Sequence, residues 1–411
     1  MRNPIFISIL LLVLIAIDFY IFQVIKHLLQ GSNSSVRTGI SIFYWGLCIV
    51  CLGALLLFPY STNPYFRQYI FSISMGWMFT QLIMALIFLI DDIRRGTFWT
   101  LSKLTSSTGA QFINTENGIP RSTFLSWLGI GLASTLFFSL IYGFGNKYNY
   151  RVIKKKITLN GLADAFKGFK IIHISDIHSG SLRDKEAVQK GIDLIKSQQA
   201  DLILFTGDLV NDKATEMHDW MDVFNQLSAP HGVFSTLGNH DYGDYVQWGT
   251  AQAKQQNLED LKKVHAQLGW RLLMNEHVKI EKDGAALQLV GIENWGAKAR
   301  FPKYGKLDKA MEGIHPDHPI ILMSHDPSHW EAQVITEYPQ IQLMLAGHTH
   351  GMQFGLENPY FKWSPVQWVY KQWAGIYKNG NQQLYVNRGF GFIGYPGRVG
   401  ILPEITLIEL A

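Results

Sequence analysis

The stretch Gly347–Gly351, GHTHG, decides how this chain is read, because it follows an apolar run and ends a series of such junctions. Upstream stand SDIH (Ser175–His178), TGDLVND (Thr206–Asp212), LGNHD (Leu237–Asp241) and MSHDP (Met323–Pro327). The preceding runs are short and rich in Ile, Leu and Val, the composition of strands buried on both faces. Polar residues emerging where buried strands stop are held by rigid backbone yet face open loops, as a site with many ligands requires. Carboxylate, imidazole and amide groups from five strand ends supply enough oxygen and nitrogen donors for two neighbouring divalent ions.

Working outward, Lys170–Ile174, Leu202–Phe205, Val233–Thr236, Leu287–Ile292, Ile320–Met323 and Ile341–Leu345 read as buried strands. Asp184–Ser197, Thr215–Leu227 and Gln252–Leu268 carry helical periodicity between them, and Gln383–Val386 and Glu404–Glu409 read as closing strands. This alternation predicts a layered α/β architecture. Neither an internal repeat nor a low-complexity tract interrupts it.

The first 150 residues differ in kind. They hold nine Lys/Arg and four Asp/Glu, against 27 and 28 in the remainder. Four apolar segments, Ile5–Ile25, Ile40–Phe58, Tyr69–Ile90 and Phe124–Phe144, each approach the roughly 20 residues that cross a bilayer core. Aromatics such as Tyr44, Trp45, Tyr69, Trp127 and Tyr142 stand near their ends, as at membrane interfaces. A cleaved signal peptide would account for the first segment alone, and no small-residue cleavage site follows it. The expected organisation is a four-helix transmembrane domain over 1–148, a linker leading into the second domain over 149–168, and a catalytic domain over 169–411. Asp18 is the one acidic residue well inside a span and reads as a helix-paired structural group. Cys48 and Cys51 share one apolar run and read as small hydrophobes rather than a metal or redox pair. The Ser-, Thr- and Asn-rich stretch Arg94–Arg121 reads as a mobile loop. The basic run Lys154–Lys156 reads as a solvated flank after the last span, and the mild basic excess is no nucleic-acid signature. Basic residues flanking the spans divide seven to six between the two sides; the cluster after the last span tips the second domain towards the cytoplasm.

At the strand ends, Asp176 and His178 lie two residues apart, Asp208 follows Gly207, and Asn239, His240, His325, His348 and His350 complete the donors. Hard oxygen mixed with imidazole suits Mn, Fe or Zn better than calcium. Asp-x-His, Gly-Asp, Gly-Asn-His-Asp, a lone His and Gly-His-x-His in this order resemble the calcineurin-like metallophosphoesterase family, from about Phe169 to the C-terminus. That resemblance implies a β-sandwich catalytic domain with two divalent ions (Mn, Fe or Zn, Mn favoured). Asp176, His178 and His350 would bind one ion, Asn239, His325 and His348 the other, and Asp208 would bridge them. A hydroxide between the ions would attack phosphorus while His240 donates a proton to the leaving oxygen or steadies the charge on the phosphoryl oxygens. Asp241 would orient His240 or a metal ligand. The tail Arg388–Leu410 is similar to the ending of a membrane-associated bacterial branch that includes hydrolases of the lipid nucleotide UDP-diacylglucosamine.

The expected partners are therefore the bilayer and a phosphorylated lipid or small molecule, and nucleic acid is not expected. A non-catalytic membrane sensor retaining the fold is the competing reading, and a transporter with a regulatory domain a third. Arg388 and Arg398 are candidates for substrate phosphate through their planar guanidinium groups. Met352–Tyr377 holds eight aromatic residues and reads either as a packed loop or as a flap touching lipid. His173 reads as a core histidine. His218, His231, His265, His277, His315, His318 and His329 lack motif context and read as surface or helix residues.

Overall fold

The structure, a computed structural model, describes residues 4–63, 65–104, 121–298, 301, 303–315 and 317–411. They form two compact units, Met1–Tyr142 and Gly143–Ala411.

In the first unit the helices are α1 (Pro4–Leu28), α2 (Ser34–Leu57), α3 (Phe71–Leu104) and α4 (Arg121–Gly143). All four are long and apolar enough to cross a membrane. A helix satisfies its backbone internally, which is what a hydrocarbon environment demands. Asn33 caps α2, its Oδ1 accepting from Val36 N at 2.9 Å. Asp18 is buried: Gln81 Nε2 donates to its Oδ1 at 3.3 Å and to Tyr44 Oη at 2.9 Å. Cys48 and Cys51 are free and buried. α3 continues to Leu104, so Arg94–Leu104 is helical where a loop is expected; the rest of that expected loop, 105–120, lies outside the described residues.

The second unit contains two six-stranded sheets. In the first the order is β1 (Arg151–Ile157), β14 (Glu404–Leu410), β2 (Lys170–Ile174), β3 (Leu202–Thr206), β4 (Val233–Thr236) and β5 (Arg271–Leu272). In the second it is β12 (Gly375–Asn379), β13 (Gln382–Val386), β9 (Ile341–Ala346), β8 (Ile320–Met323), β7 (Ala285–Gly291) and β6 (Glu276–Lys282). A separate two-stranded ribbon pairs β10 (Leu356–Glu357) with β11 (Lys362–Trp363). The pairs β2/β3/β4 and β7/β8/β9 are parallel. Their carboxyl ends therefore point one way within each sheet.

Side chains alternate across these strands. Ile171, Leu202 and Leu204 meet Leu289, Ile321, Met323, Leu343 and Leu345 in a core shared by both sheets. On the opposite strand face, Ile172, Ile174, Ile203 and Phe205 pack with Val188, Ile192 and Ile195 of α5 (Lys185–Ser197) and with Trp220, Val223 and Phe224 around the short α6 (Met221–Phe224). Leu261 and Val264 of α7 (Ala251–Gln267) join the same core. Val290, Leu322 and Met344 pack with Trp330 and Val334 beyond the second sheet. Burial on both faces explains why these strands are continuous apolar runs.

Two segments differ from expectation. Thr215–Leu227 is a 3-10 turn, Ala214–Trp220, followed by α6, because Glu216 bends back to accept from Asn211 N at 2.6 Å and Lys213 N at 3.1 Å. Lys154–Lys156 lies within β1, an edge strand in parallel register with β14, and Lys156 reaches Glu409 at 4.0 Å. Lysines on an edge strand discourage pairing with another chain.

Candidate metal centre

The loops at the carboxyl ends of β2, β3, β4, β8 and β9 bring every motif residue together. Five candidate ligands, Asp176, His178, Asp208, His348 and His350, adopt left-handed backbone conformations with φ between 49° and 73°. Such a conformation costs a non-glycine residue about 1–3 kcal/mol and persists only where the surroundings enforce it. Here backbone hydrogen bonds between loops do so: Asp176 N donates to Gly207 O at 2.9 Å, His178 N to Asp208 O at 3.1 Å, and Gly347 N to His325 O at 2.9 Å. Gly238 is required sterically, since a Cβ there would collide with Asp208 Oδ1.

Two donor clusters result. Asp176, His178 and His350 form one; Asp208, His325 and His348 form the other. In the first, His178 Nε2 and His350 Nε2 are 3.1 Å apart, and His350 Nε2 is 3.2 Å from Asp176 Oδ1. In the second, His325 Nε2 lies 3.1 Å from Asp208 Oδ2, and His348 Nδ1 lies 3.2 Å from His325 Nε2. Asn239 Oδ1 joins the second cluster, 2.8 Å from His348 Nδ1 and 3.2 Å from His325 Nε2. Asp208 Oδ2 faces both, being also 3.6 Å from His178 Nε2.

The electrostatics follow from burial and proximity. Burial alone would raise Asp176 and Asp208, but His350 beside the first and His325 beside the second hold both below the usual carboxylate range. Burial alone would lower His325, but the Asp208 carboxylate carries it up to about 10. Burial lowers His178, His348 and His350. The ring orientations are fixed from behind. His325 Nδ1 donates to Thr206 O at 2.7 Å, leaving Nε2 for the cluster. His348 Nε2 meets Tyr370 Oη at 2.9 Å, leaving Nδ1. Oxygen and imidazole nitrogen lone pairs thus converge in two buried sets, a donor chemistry that fits two divalent ions.

His240, half-buried, stands beside the clusters, its ring 4.9 Å from that of His178. Its Nδ1 donates to Asn211 O at 2.8 Å, so Nε2 is the free nitrogen. The Asp241 carboxylate forms no hydrogen bond to His240. It accepts from the backbone N–H groups of Asp208, Leu209, Val210 and Gly238 at 2.8–3.2 Å, clamping the Asp208 loop. Burial, reinforced by Asp208, raises Asp241 to about 7.

Arg388 and Arg398 differ from the expected phosphate ligands. Arg388 is buried between Glu404 and Glu357, and Arg398 donates to the carbonyls of His350, Arg388, Gly389 and Gly391. Arg398 Nη2 also lies 3.2 Å from His350 Nδ1, behind the first cluster. A tail that folds back against β2, with Phe390 N on Ser175 O and Gly391 N on Asp176 O, consumes both guanidinium groups. His173 is a core residue, 2.9 Å from Thr206 Oγ1 and lowered to about 4 by burial. His265 is a helix residue of α7, buried and bonded to Ser235 Oγ; His329 is buried rather than superficial, bonded to Ser324 Oγ.

Two further residues, Tyr245 and Tyr370, were not legible from the motifs, and Asp326, inside MSHDP, reads only as shaping the loop after His325. Tyr245 Oη accepts from Asn239 Nδ2 at 2.8 Å, turning Asn239 Oδ1 inward, and its ring lies 4.5 Å from His240. Tyr370 Oη contacts both His348 Nε2 and, at 3.3 Å, Asp326 Oδ2. Asp326 is itself 3.7 Å from His348. The aromatic density of 352–377 was the only sequence signal for Tyr370; Tyr245 carried none.

Comparison with known proteins agrees with this geometry. Residues 169–352 match the family described as calcineurin-like phosphoesterase, and residues 1–146 match one described as probable calcineurin-like phosphoesterase, transmembrane domain. A Bacillus subtilis protein, the uncharacterized metallophosphoesterase YkuE, is 31% identical over 60% of this chain and 80% of its own length. The Escherichia coli phosphodiesterase YaeI is 28% identical over 59% of this chain and 82% of its own. A zebrafish transmembrane protein with metallophosphoesterase domain is 28% identical over 63% of this chain, and the chain spans 57% of that relative's length. With the motif residues gathered into two buried donor clusters, and a relative matched along four-fifths of its length, this chain belongs to the calcineurin-like metallophosphoesterase family.

Proposed function

We propose that this chain is a membrane-anchored phosphoester hydrolase that uses two divalent ions and acts on a lipid-linked or cell-envelope phosphodiester or pyrophosphate. The observation that carries the two-ion reading is the position of Asp208 Oδ2, facing His178 Nε2 at 3.6 Å and His325 Nε2 at 3.1 Å. Asp176, His178 and His350 would hold one ion and Asn239, His325 and His348 the other, with Asp208 beside both sets. Such ions, when bound, would acidify a water molecule and neutralise charge on the phosphoryl oxygens.

The chain's own residues do the rest. Asp241 fixes the loop that presents Asp208, and Thr206 O and Tyr370 Oη fix which nitrogens of His325 and His348 face inward. His240 Nε2 delivers a proton to the leaving oxygen, its Nδ1 proton being tied to Asn211 O. The attacking oxygen comes from water rather than from a side chain. Arg388 and Arg398 do not bind substrate; they brace the tail behind the first cluster.

The four apolar helices support a membrane-resident substrate, since anchoring raises its local concentration. The basic residues after the last helix, Arg151 and Lys154–Lys156, support a cytoplasmic second unit. The test is hydrolysis by the detergent-purified full chain with Mn²⁺, on bis-p-nitrophenyl phosphate, p-nitrophenyl phosphate and UDP-diacylglucosamine. Turnover of the lipid nucleotide, absent in Asp208→Asn, is expected. Ions bound at both clusters with no turnover of any ester would favour a sensor instead.

A further inference from the structure

Large apolar side chains that face solvent are not evenly spread over the second unit. Leu194, Tyr245 and Tyr304 are its scattered described examples; six others, Met352, Leu356, Tyr360, Phe361, Trp368 and Val369, fall within one 18-residue segment. Single exposed hydrophobes are ordinary, but a concentration of them marks a surface that meets something else. Tyr360 is 98% exposed and Trp368 75%, so most of the surface of each residue faces solvent.

The segment is built to display them. β10 and β11 pair as a ribbon with Leu356 opposite Trp363. Asn358 closes its turn: Oδ1 accepts from Tyr360 N and Phe361 N at 2.9 Å each, and its own N–H donates to Phe361 O. The base is fastened by the ion pair of Glu357 with buried Arg388 and by Lys362 Nζ, which donates to Ala374 O and lies 3.1 Å from Tyr377 Oη. Trp363 and Trp368 stand 6.0 Å apart, ring edge to face. These contacts hold the apolar residues at the tip of the ribbon out towards solvent.

We propose that Leu356–Val369 is a membrane-interface contact, with Tyr360, Phe361 and Trp368 seated among lipid headgroups and upper acyl chains. Three observations select lipid as the occupant. Trp and Tyr with a neighbouring Lys are the side chains that favour the interfacial zone. The same chain carries four helices long and apolar enough to cross a bilayer, so this unit is tethered to lipid. The residue after Val369 is Tyr370, whose hydroxyl touches His348, so the contact ends beside a residue that reaches the second cluster. The inference rests on the proposed function: a surface held at the headgroups sets the clusters where lipid-borne phosphate is found.

The test needs no turnover. The full chain, with Cys48→Ser and Cys51→Ser, is labelled with an environment-sensitive dye at Tyr360→Cys, or at Asp283→Cys in the exposed β6–β7 turn, in phosphatidylethanolamine–phosphatidylglycerol nanodiscs. At 360 a blue-shifted emission is expected, quenched by doxyl-labelled lipid at least roughly threefold more than at 283, the headgroup depth of interfacial side chains being some 5–10 Å into the boundary. Equal quenching at both positions overturns the inference. A blue shift without lipid quenching also overturns it, pointing to contact with a protein surface. Quenching in a chain that hydrolyses no ester upholds the membrane contact while the hydrolase reading fails, so the two are separable.

Discussion

The two donor clusters are built from the same residue types but held differently. Asp176, His178 and His350 are sealed: the tail from Arg388 to Arg398 folds behind them, and Arg398 backs His350. Asp208, His325 and His348 border softer surroundings, with Phe301 5.0 Å from the His348 ring, Tyr370 on its Nε2, and Tyr245 on Asn239. Backbone carbonyls and amides hold residues of both clusters; the first adds a buried cation behind it, the second aromatic hydroxyls beside it. Asp208 couples them.

The largest expected effect is the loss of that coupling. Asp208→Asn should abolish hydrolysis and empty at least one cluster, read by metal analysis of the purified chain beside the turnover assay. Next, His240→Ala should leave both clusters loaded yet lower kcat by about 10²–10⁴, the usual contribution of a positioned acid; unchanged turnover removes His240 from the reaction. Asp241→Ala leaves four backbone donors without their acceptor and should weaken metal affinity about 10–100-fold, as loss of groups supporting metal ligands does. Tyr370→Phe sharpens the comparison, because His348 is the one candidate ligand its hydroxyl contacts among the described residues. It should weaken the second ion by roughly tenfold and spare the first. Equal loss at both clusters would erase the distinction drawn between them.

The mildest perturbation is a change of pH. His325 is raised to about 10 by Asp208, so without an ion its Nε2 keeps a proton throughout the neutral range. Binding an ion at the second cluster must displace that proton. Affinity there should therefore fall by about tenfold for each unit of pH decrease below about 10, and binding near neutrality should release about one proton. Calorimetry in buffers of differing ionisation enthalpy measures the release.

The strands that carry ligands were legible because both their faces are buried, which writes them as unbroken apolar runs. β1 and β6 were not, since an edge strand alternates: RVIKKKI looks like a basic flank, and EHVKIEK buries only Val278 and Ile280. The donors were readable because their spacing is local. What supports them was not. Tyr370 reaches His348 across 22 residues and Asp241 reaches Asp208 across 33, so neither pairing leaves a sequence pattern. Arg388 and Arg398 misled for the same reason: a guanidinium that ends beside Glu357, Glu404 or a backbone carbonyl looks, in sequence, like one free for phosphate.

Anomalous diffraction from Mn²⁺-soaked crystals of the full chain tests the shared carboxylate most directly. Two peaks about 3.5–4 Å apart are expected, one beside Asp176, His178 and His350, the other beside Asn239, His325 and His348, both within bonding distance of Asp208. A single peak, or two that do not share Asp208, would contradict the two-ion site.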